Sequence, residues 1–307
     1  MRSTLLATMA VVGLFAAPHA ALAAAPDQGF VQVSLGFGST DQEFNTNDNL
    51  LDDPFNYGAR TQWLFPLSQP VLVQTDLFFE QADDVFLGKA WNGSTDSTLF
   101  GGAVHFIHPM QRGRIGVAGS LFSVDSHAPN FNNSSFEEQA HYGLVAFEGQ
   151  YNFDTVTLFG QGGWFGEVAC DGSEGCVQNG VFFRFNAAYF LNRNAAVSFD
   201  GKLFWAEDEW LGELSGGTAA LEGEWRFTDS RFSGFVNVNY EREDMDVFFG
   251  TAGQDTVTVS IGGRMYLDVA SLMDFIQNGP SMNTPNFHHA LATEGTLQTE
   301  ATLDGVP

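Results

Sequence analysis

Twelve short segments of this chain alternate apolar residues with polar or small ones at a period of two, and few folds accept that repeat. They run near 29–37, 55–66, 71–81, 98–107, 114–124, 140–151, 155–166, 180–191, 195–206, 217–227, 232–241 and 256–267. In the last of them Val257, Val259, Ile261, Met265 and Leu267 share one face, opposite Thr256, Thr258, Ser260, Arg264 and Tyr266. Residues at this spacing point to opposite sides of a β-strand, so each segment reads as a two-sided strand. A water-soluble sandwich would carry the same alternation. Connectors, aromatics and charges decide between the two.

The connectors alternate long and short. Long ones lie near 38–54, 82–97, 125–139, 167–179, 207–216 and 242–255, and short ones centre on 67–70, 108–113, 152–154, 192–194 and 228–231. Long outer loops with short periplasmic turns characterise transmembrane barrels. The aromatics sort to strand ends on the apolar face: Trp63, Phe65, Tyr151, Tyr189, Trp225 and Phe227 at one end, Phe37, Phe79, Trp164, Trp205 and Tyr240 at the other. Two such girdles mark the two interfaces of a bilayer. The long loops carry most of the acidic residues, the short turns carry Arg112, Arg193 and Arg231, and no charge falls on the inferred lipid faces. With 12 Lys and Arg against 37 Asp and Glu, the chain has a formal charge of −25, which argues against nucleic acid as a partner.

Within the last segment Ser260, Gly262, Met265 and Leu267 follow the order of a polar residue, a glycine and spaced apolar residues. This resembles the C-terminal assembly signal of Gram-negative outer-membrane β-barrels of the porin-like kind. The resemblance implies an all-β, transmembrane, antiparallel up-and-down barrel of about 12 strands in the outer membrane. It also implies outer-membrane lipids, lipopolysaccharide and the barrel assembly machinery as partners. Such proteins usually end at this strand, whereas here residues 268–307 follow.

Both ends lie outside the barrel pattern. Arg2, the uncharged apolar run from Leu5 to Ala17 and the small residues Ala21–Ala25 read as a cleaved signal peptide over residues 1–24, which leaves 25–267 for the barrel. Export places Cys170 and Cys176 in an oxidising compartment, where a small loop disulfide is expected. In 268–307, Val269, Leu272, Met273 and Ile276 share one helical face before Gly279-Pro280 breaks the pattern. The expectation is a periplasmic tail with one short helix, the alternative being a plug that enters the lumen.

Strand parity turns a set of charged residues inward: Arg60, Asp76, Glu80, Arg114, Glu148, Arg184, Asp200, Lys202, Glu222, Glu224, Arg226 and Arg264, together with Glu241. Simple hairpins would set Arg60 opposite Asp76, Arg184 opposite Asp200, and Lys202 near Glu222. Facing charges of both signs create a transverse field in a water-filled pore. The expected function is passive diffusion of ions or small polar solutes with a mild cation preference and no cofactor. Acidic loop clusters such as Glu207–Glu209 and 241–246 are candidates for loosely held calcium or magnesium.

Two other readings stay open. A barrel enzyme acting on lipid or lipopolysaccharide would need a nucleophile and a base at the rim, and Ser123 with His141 is the candidate pair. His105 points inward, His108 and His127 lie at a turn and a loop, and His288-His289 is a poor metal site without further ligands. A structural or adhesive barrel would do neither chemistry nor transport. The oligomeric state is not readable from the sequence.

Overall fold

The computed structural model describes residues 28–43, 50–52, 55–68, 70–83, 96–129, 135–170, 177–208, 212–247, 250–267 and 270–285. The strands in chain order are β1 (Gln28–Glu43), β2 (Leu50–Asp52), β3 (Phe55–Ser68), β4 (Val71–Asp83), β5 (Asp96–Met110), β6 (Gly113–Pro129) and β7 (Ser135–Asn152). They continue as β8 (Val156–Cys170), β9 (Val177–Asn192), β10 (Ala195–Asp208), β11 (Gly212–Arg226), β12 (Phe232–Val247) and β13 (Gly250–Leu267). One helix follows, α1 (Leu272–Asn278). The three-residue β2 only extends the outer end of β1. The other twelve strands pair antiparallel with their sequence neighbours, and β13 pairs with β1 from Gly29↔Leu267 to Glu43↔Gly253. That last ladder closes the sheet into a barrel with no free edge.

The two faces invert the logic of a water-soluble protein. Outward side chains are large and apolar, and they stay exposed: Leu121 at 67%, Phe147 at 63% and Trp164 at 60%. Inward side chains include charges that are nearly sealed off, such as Asp76, Arg114 and Lys202. An outer belt of Phe, Val, Leu and Trp around a ring of paired peptide groups requires hydrocarbon around it.

The strands run past the alternating segments at the outer end. β7 starts at Ser135, β9 at Val177 and β13 at Gly250, and β12 continues to Val247. Apolar alternation stops where lipid stops, but backbone pairing goes on in water, so the expected loop 242–255 is mostly a hairpin. Two of the short-turn hairpins also differ in register from the simple expectation. A ladder irregularity at Pro66, which has no N–H to give, sets Arg60 opposite Phe78 and Asp76 opposite Gln62. Another at Ala195 sets Arg184 opposite Lys202 and Asp200 opposite Asn186.

The lumen is filled unevenly. Toward the outer end, inward residues of β5–β11 form an apolar cluster that includes Leu99, Phe122, Tyr142, Phe165, Phe182 and Phe204. Toward the end with the short turns, residues 270–285 lie inside the barrel. The expected periplasmic tail is therefore, over these residues, an internal segment. Ser271 caps α1, its Oγ accepting from Asp274 N at 3.0 Å, and Leu272 and Phe275 bury against Phe30, Phe190 and Tyr266. The Phe275 ring lies 5.4 Å from Phe30 and 4.6 Å from Tyr266. The apolar face predicted for the helix thus has a partner, and that partner is the barrel's inner wall.

Leu121 sits mid-strand in β6 on the outer face. Leu121→Arg is expected to cost about 2–4 kcal/mol, measured by equilibrium unfolding in lipid vesicles.

Candidate functional site

The inward polar side chains form two connected layers: a clasp that holds the internal segment, and a chamber above it.

The clasp is made from β3, β4, β6, β7 and β9. Arg60 Nη2 donates to Thr284 O at 2.8 Å, Arg184 Nη1 to Asn283 O at 2.8 Å and Gln74 Nε2 to Met282 O at 2.6 Å. Arg114 Nη1 donates to Gly279 O at 2.6 Å, and its other nitrogens reach Gln150 Oε1 and the Ser281 hydroxyl. Gln150 Nε2 donates to the carbonyls of Ile276 and Gln277, both at 3.1 Å. Beneath these contacts lies a buried polar core. Asp76 accepts from Gln62 Nε2 at 2.8 Å, from Gln74 Nε2 at 2.8 Å and from the Thr284 hydroxyl at 3.0 Å. The His105 ring bridges two carboxylates, Nδ1 at 2.9 Å from Glu148 and Nε2 at 3.4 Å from Asp76. Gln161 Nε2 donates to Glu148 at 3.1 Å. Carboxylates this deeply buried persist because donors surround them.

The chamber is a cavity of about 360 Å³ that reaches from β8 through the seam to β4. Four cationic side chains line it, Arg60, Arg184, Lys202 and Arg264, and so do five carboxylates, Glu80, Asp200, Glu222, Glu224 and Glu241. Between them stand neutral hydrogen-bonding groups such as Asn186, Thr218, Asn237 and Ser260. Ile276 and Asn283 to Pro285 of the internal segment form its floor. The charges are paired diagonally or across the lumen. Arg184 holds Asp200 through two nitrogens, at 2.7 and 3.0 Å. Arg264 on β13 reaches Glu222 on β11 at 2.9 and 3.0 Å and also contacts Glu224, which in turn accepts from Tyr266 and Ser233. Lys202 lies 3.9 Å from Glu241.

Of the inward charges read from the sequence, nine line the chamber: Arg60, Glu80, Arg184, Asp200, Lys202, Glu222, Glu224, Glu241 and Arg264. Asp76, Arg114 and Glu148 belong to the clasp instead. Arg226 braces the turn after β11, its Nε donating to Ser230 O at 2.9 Å. The register shifts at Pro66 and Ala195 turn two of the expected facing pairs into diagonal ones, and the third pair has a different partner. Arg60 stays 3.9 Å from Asp76 as a diagonal pair, Arg184 and Asp200 also meet diagonally, and Glu222 takes Arg264 rather than Lys202. Parity alone shows the inward charges; it does not show Gln62, Gln74, Gln150 or His105 as a clasp, because the segment they hold is distant in sequence.

Ser123 and His141 are cross-strand partners on β6 and β7, as the enzyme reading needs. The Ser123 hydroxyl nevertheless makes no hydrogen bond among the described residues, so the pair is not assembled as a nucleophile and base. Cys176, Glu209, His288 and His289 lie outside the described residues, as do the side chains of Cys170, His127 and Asp208. Among the described residues there is no group of three or more His, Cys, Asp or Glu placed to hold a metal.

No family model matches the chain, and no curated protein does. Among solved structures it is similar to an outer-membrane channel from Pseudomonas putida F1, with a TM-score of 0.57 and 11% identity over 81% of this chain and 99% of that one. It is also similar to the translocator domain of the autotransporter NalP from Neisseria meningitidis, at TM-score 0.47 and 12% identity over 85% and 96% of the two chains. A third similarity is to the P. putida toluene transporter TodX, at TM-score 0.41 and 7% identity over 80% and 91%. The first superposition shows a shared fold. The chain has the fold of outer-membrane β-barrels, and its closed ladder and apolar belt suit a lipid bilayer.

Arg264 is the counter-charge for two carboxylates, the buried Glu224 and the half-buried Glu222. Arg264→Met is expected to destabilise the barrel by about 3–5 kcal/mol, read from urea unfolding in vesicles, and Glu222→Gln by less because Arg264 keeps Glu224.

Proposed function

We propose that this barrel is a channel for small polar and ionic solutes across the outer membrane, held closed at rest by residues 270–285. The observation that carries the reading is the charged chamber inside the lumen, lined jointly by wall and internal segment. A barrel that only anchors loops has no need of such a space.

The chamber's charges give the passage its character. Arg264, Glu222 and Glu224 stand on one side, with Arg184 and Asp200 on another, so a solute crosses a transverse field that orients dipoles. Carboxylates outnumber cations by five to four among the lining residues. The chain's formal charge of −25 adds to this bias at the mouth. Both favour cations mildly. Passage requires the internal segment to shift, since its backbone is tied to five strands. A channel of this kind needs no cofactor. Its partners are the surrounding lipids and lipopolysaccharide, with calcium or magnesium held loosely at the acidic outer loops.

The test is single-channel recording of the full chain in planar bilayers, beside Met282→Asp. Met282 packs on Leu64, Ile107 and Phe159, so a carboxylate there should loosen the segment. Wild type should show small or rare openings and Met282→Asp several-fold larger ones. Under a salt gradient the reversal potential should fall on the cation side and move toward zero in Glu241→Gln. Silence from both proteins in well-inserted bilayers would end the channel reading.

A further inference from the structure

The segment inside the lumen is held mainly through its main chain. The carbonyls of Ile276, Gln277, Gly279, Met282, Asn283 and Thr284 all accept from wall side chains. The donors are three arginines, two glutamines and, at Gln277, Asn152 as well, with Nδ2 at 3.1 Å. Successive carbonyls beyond α1 address different walls: Met282 meets β4, Asn283 meets β9 and Thr284 meets β3. That alternation is the signature of an extended backbone. Among the described residues beyond the helix, Asn283, Thr284 and Ser281 add side-chain hydrogen bonds. Main-chain carbonyls are common to every peptide, so most of this recognition does not depend on sequence.

The wall also offers more than the segment uses. Gln62 and Gln74 are fully buried beside it. Their amide orientation is fixed, because each Nε2 faces two acceptors: Asp76 and Asn283 Oδ1 for Gln62, Asp76 and Met282 O for Gln74. Their Oε1 atoms therefore point elsewhere, and among the described residues neither accepts a hydrogen bond. Arg60 Nε is also unmatched. A buried polar atom without a partner has lost its water and gained nothing in return. An extended peptide presents N–H groups between its carbonyls, and the wall takes one of these as well: Thr284 N donates to Asp76 at 3.3 Å.

We infer that the lumen of this barrel is a binding site for extended peptides, read through their main chain, and that residues 270–285 are its tethered occupant. The donors on β3, β4, β6 and β9 clasp carbonyls, and Asp76 receives an amide proton, as it does from Thr284 N at 3.3 Å. The chamber above, with side chains of both signs, accommodates the charged ends of a short peptide. The inference names the solute class of the proposed channel and rests on that reading for transport, but binding is measurable without any current.

The experiment is fluorescence anisotropy of labelled seven-residue peptides added to the full-length protein in detergent micelles. One peptide carries the sequence of residues 279–285, and several carry unrelated sequences. A tethered segment competes at an effective concentration in the millimolar range, so wild type should bind all of them weakly. Met282→Asp should bind them at least tenfold more tightly, the unrelated peptides within about tenfold of the native sequence. Adding Gln74→Leu to that variant, which removes the donor to the main-chain carbonyl of Met282, should weaken binding of all of them more than tenfold. Circular dichroism and heat-modifiable gel mobility establish that each variant is a folded barrel; should Met282→Asp not fold, Phe275→Asp takes its place. The inference fails if folded, loosened protein binds no peptide, or binds the native sequence alone. Either result leaves the channel reading to stand or fall on the bilayer currents.

Discussion

Hydrocarbon gives a peptide group no hydrogen-bond partner, and every other property of this molecule follows from meeting that condition. Twelve strands meet it only as a ring, so the ladder between β1 and β13 is a requirement and not an accessory. Closure fixes which face sees lipid, and side-chain parity then sends Phe, Val and Leu outward and the charges inward. The lumen is polar because the outside must not be.

An interior that receives charges must also pair them. The chain does so with contacts across the lumen as well as between neighbouring strands: Arg264 to Glu222 skips one strand, and His105 spans from Asp76 on β4 to Glu148 on β7. Paired in this way, the charges do not hold each other at random. They leave one chamber open and draw one segment of the chain into the space beneath it. Toward the outer end, inward residues of β5–β11 such as Phe122, Tyr142, Phe165 and Phe182 fill the lumen instead.

Much of this architecture was legible in the residues. Period-two alternation located all twelve wall-forming strands, and alternating connector lengths distinguished the two ends. What could not be read was of two kinds. The outer ends of the strands, such as 242–247, carry no apolar alternation because water lies on both sides there, yet their backbones still pair. Hairpin register turned on single irregularities at Pro66 and Ala195, which moved Arg60 and Arg184 by two positions against their facing strands. The clasp was hidden for a different reason. Arg60 and Thr284 are 224 residues apart, and no local pattern joins a strand glutamine to the carbonyl of a distant irregular segment. The helix was visible from the spacing of Leu272, Met273 and Ile276, but its apolar face did not say what it would cover.

What it covers is the seam. Phe30 and Tyr266 are facing residues of the first and last wall strands, and the Phe275 ring rests against both. Their platform comes into existence only when the two termini of the barrel have met, the slowest kind of contact for a chain to find. Helix docking and barrel closure are thus linked equilibria: whatever favours the docked helix also tightens the junction, and drawing the helix out weakens the barrel at the place where its circle was completed. Undocking this helix and loosening the wall are, at that junction, one and the same event.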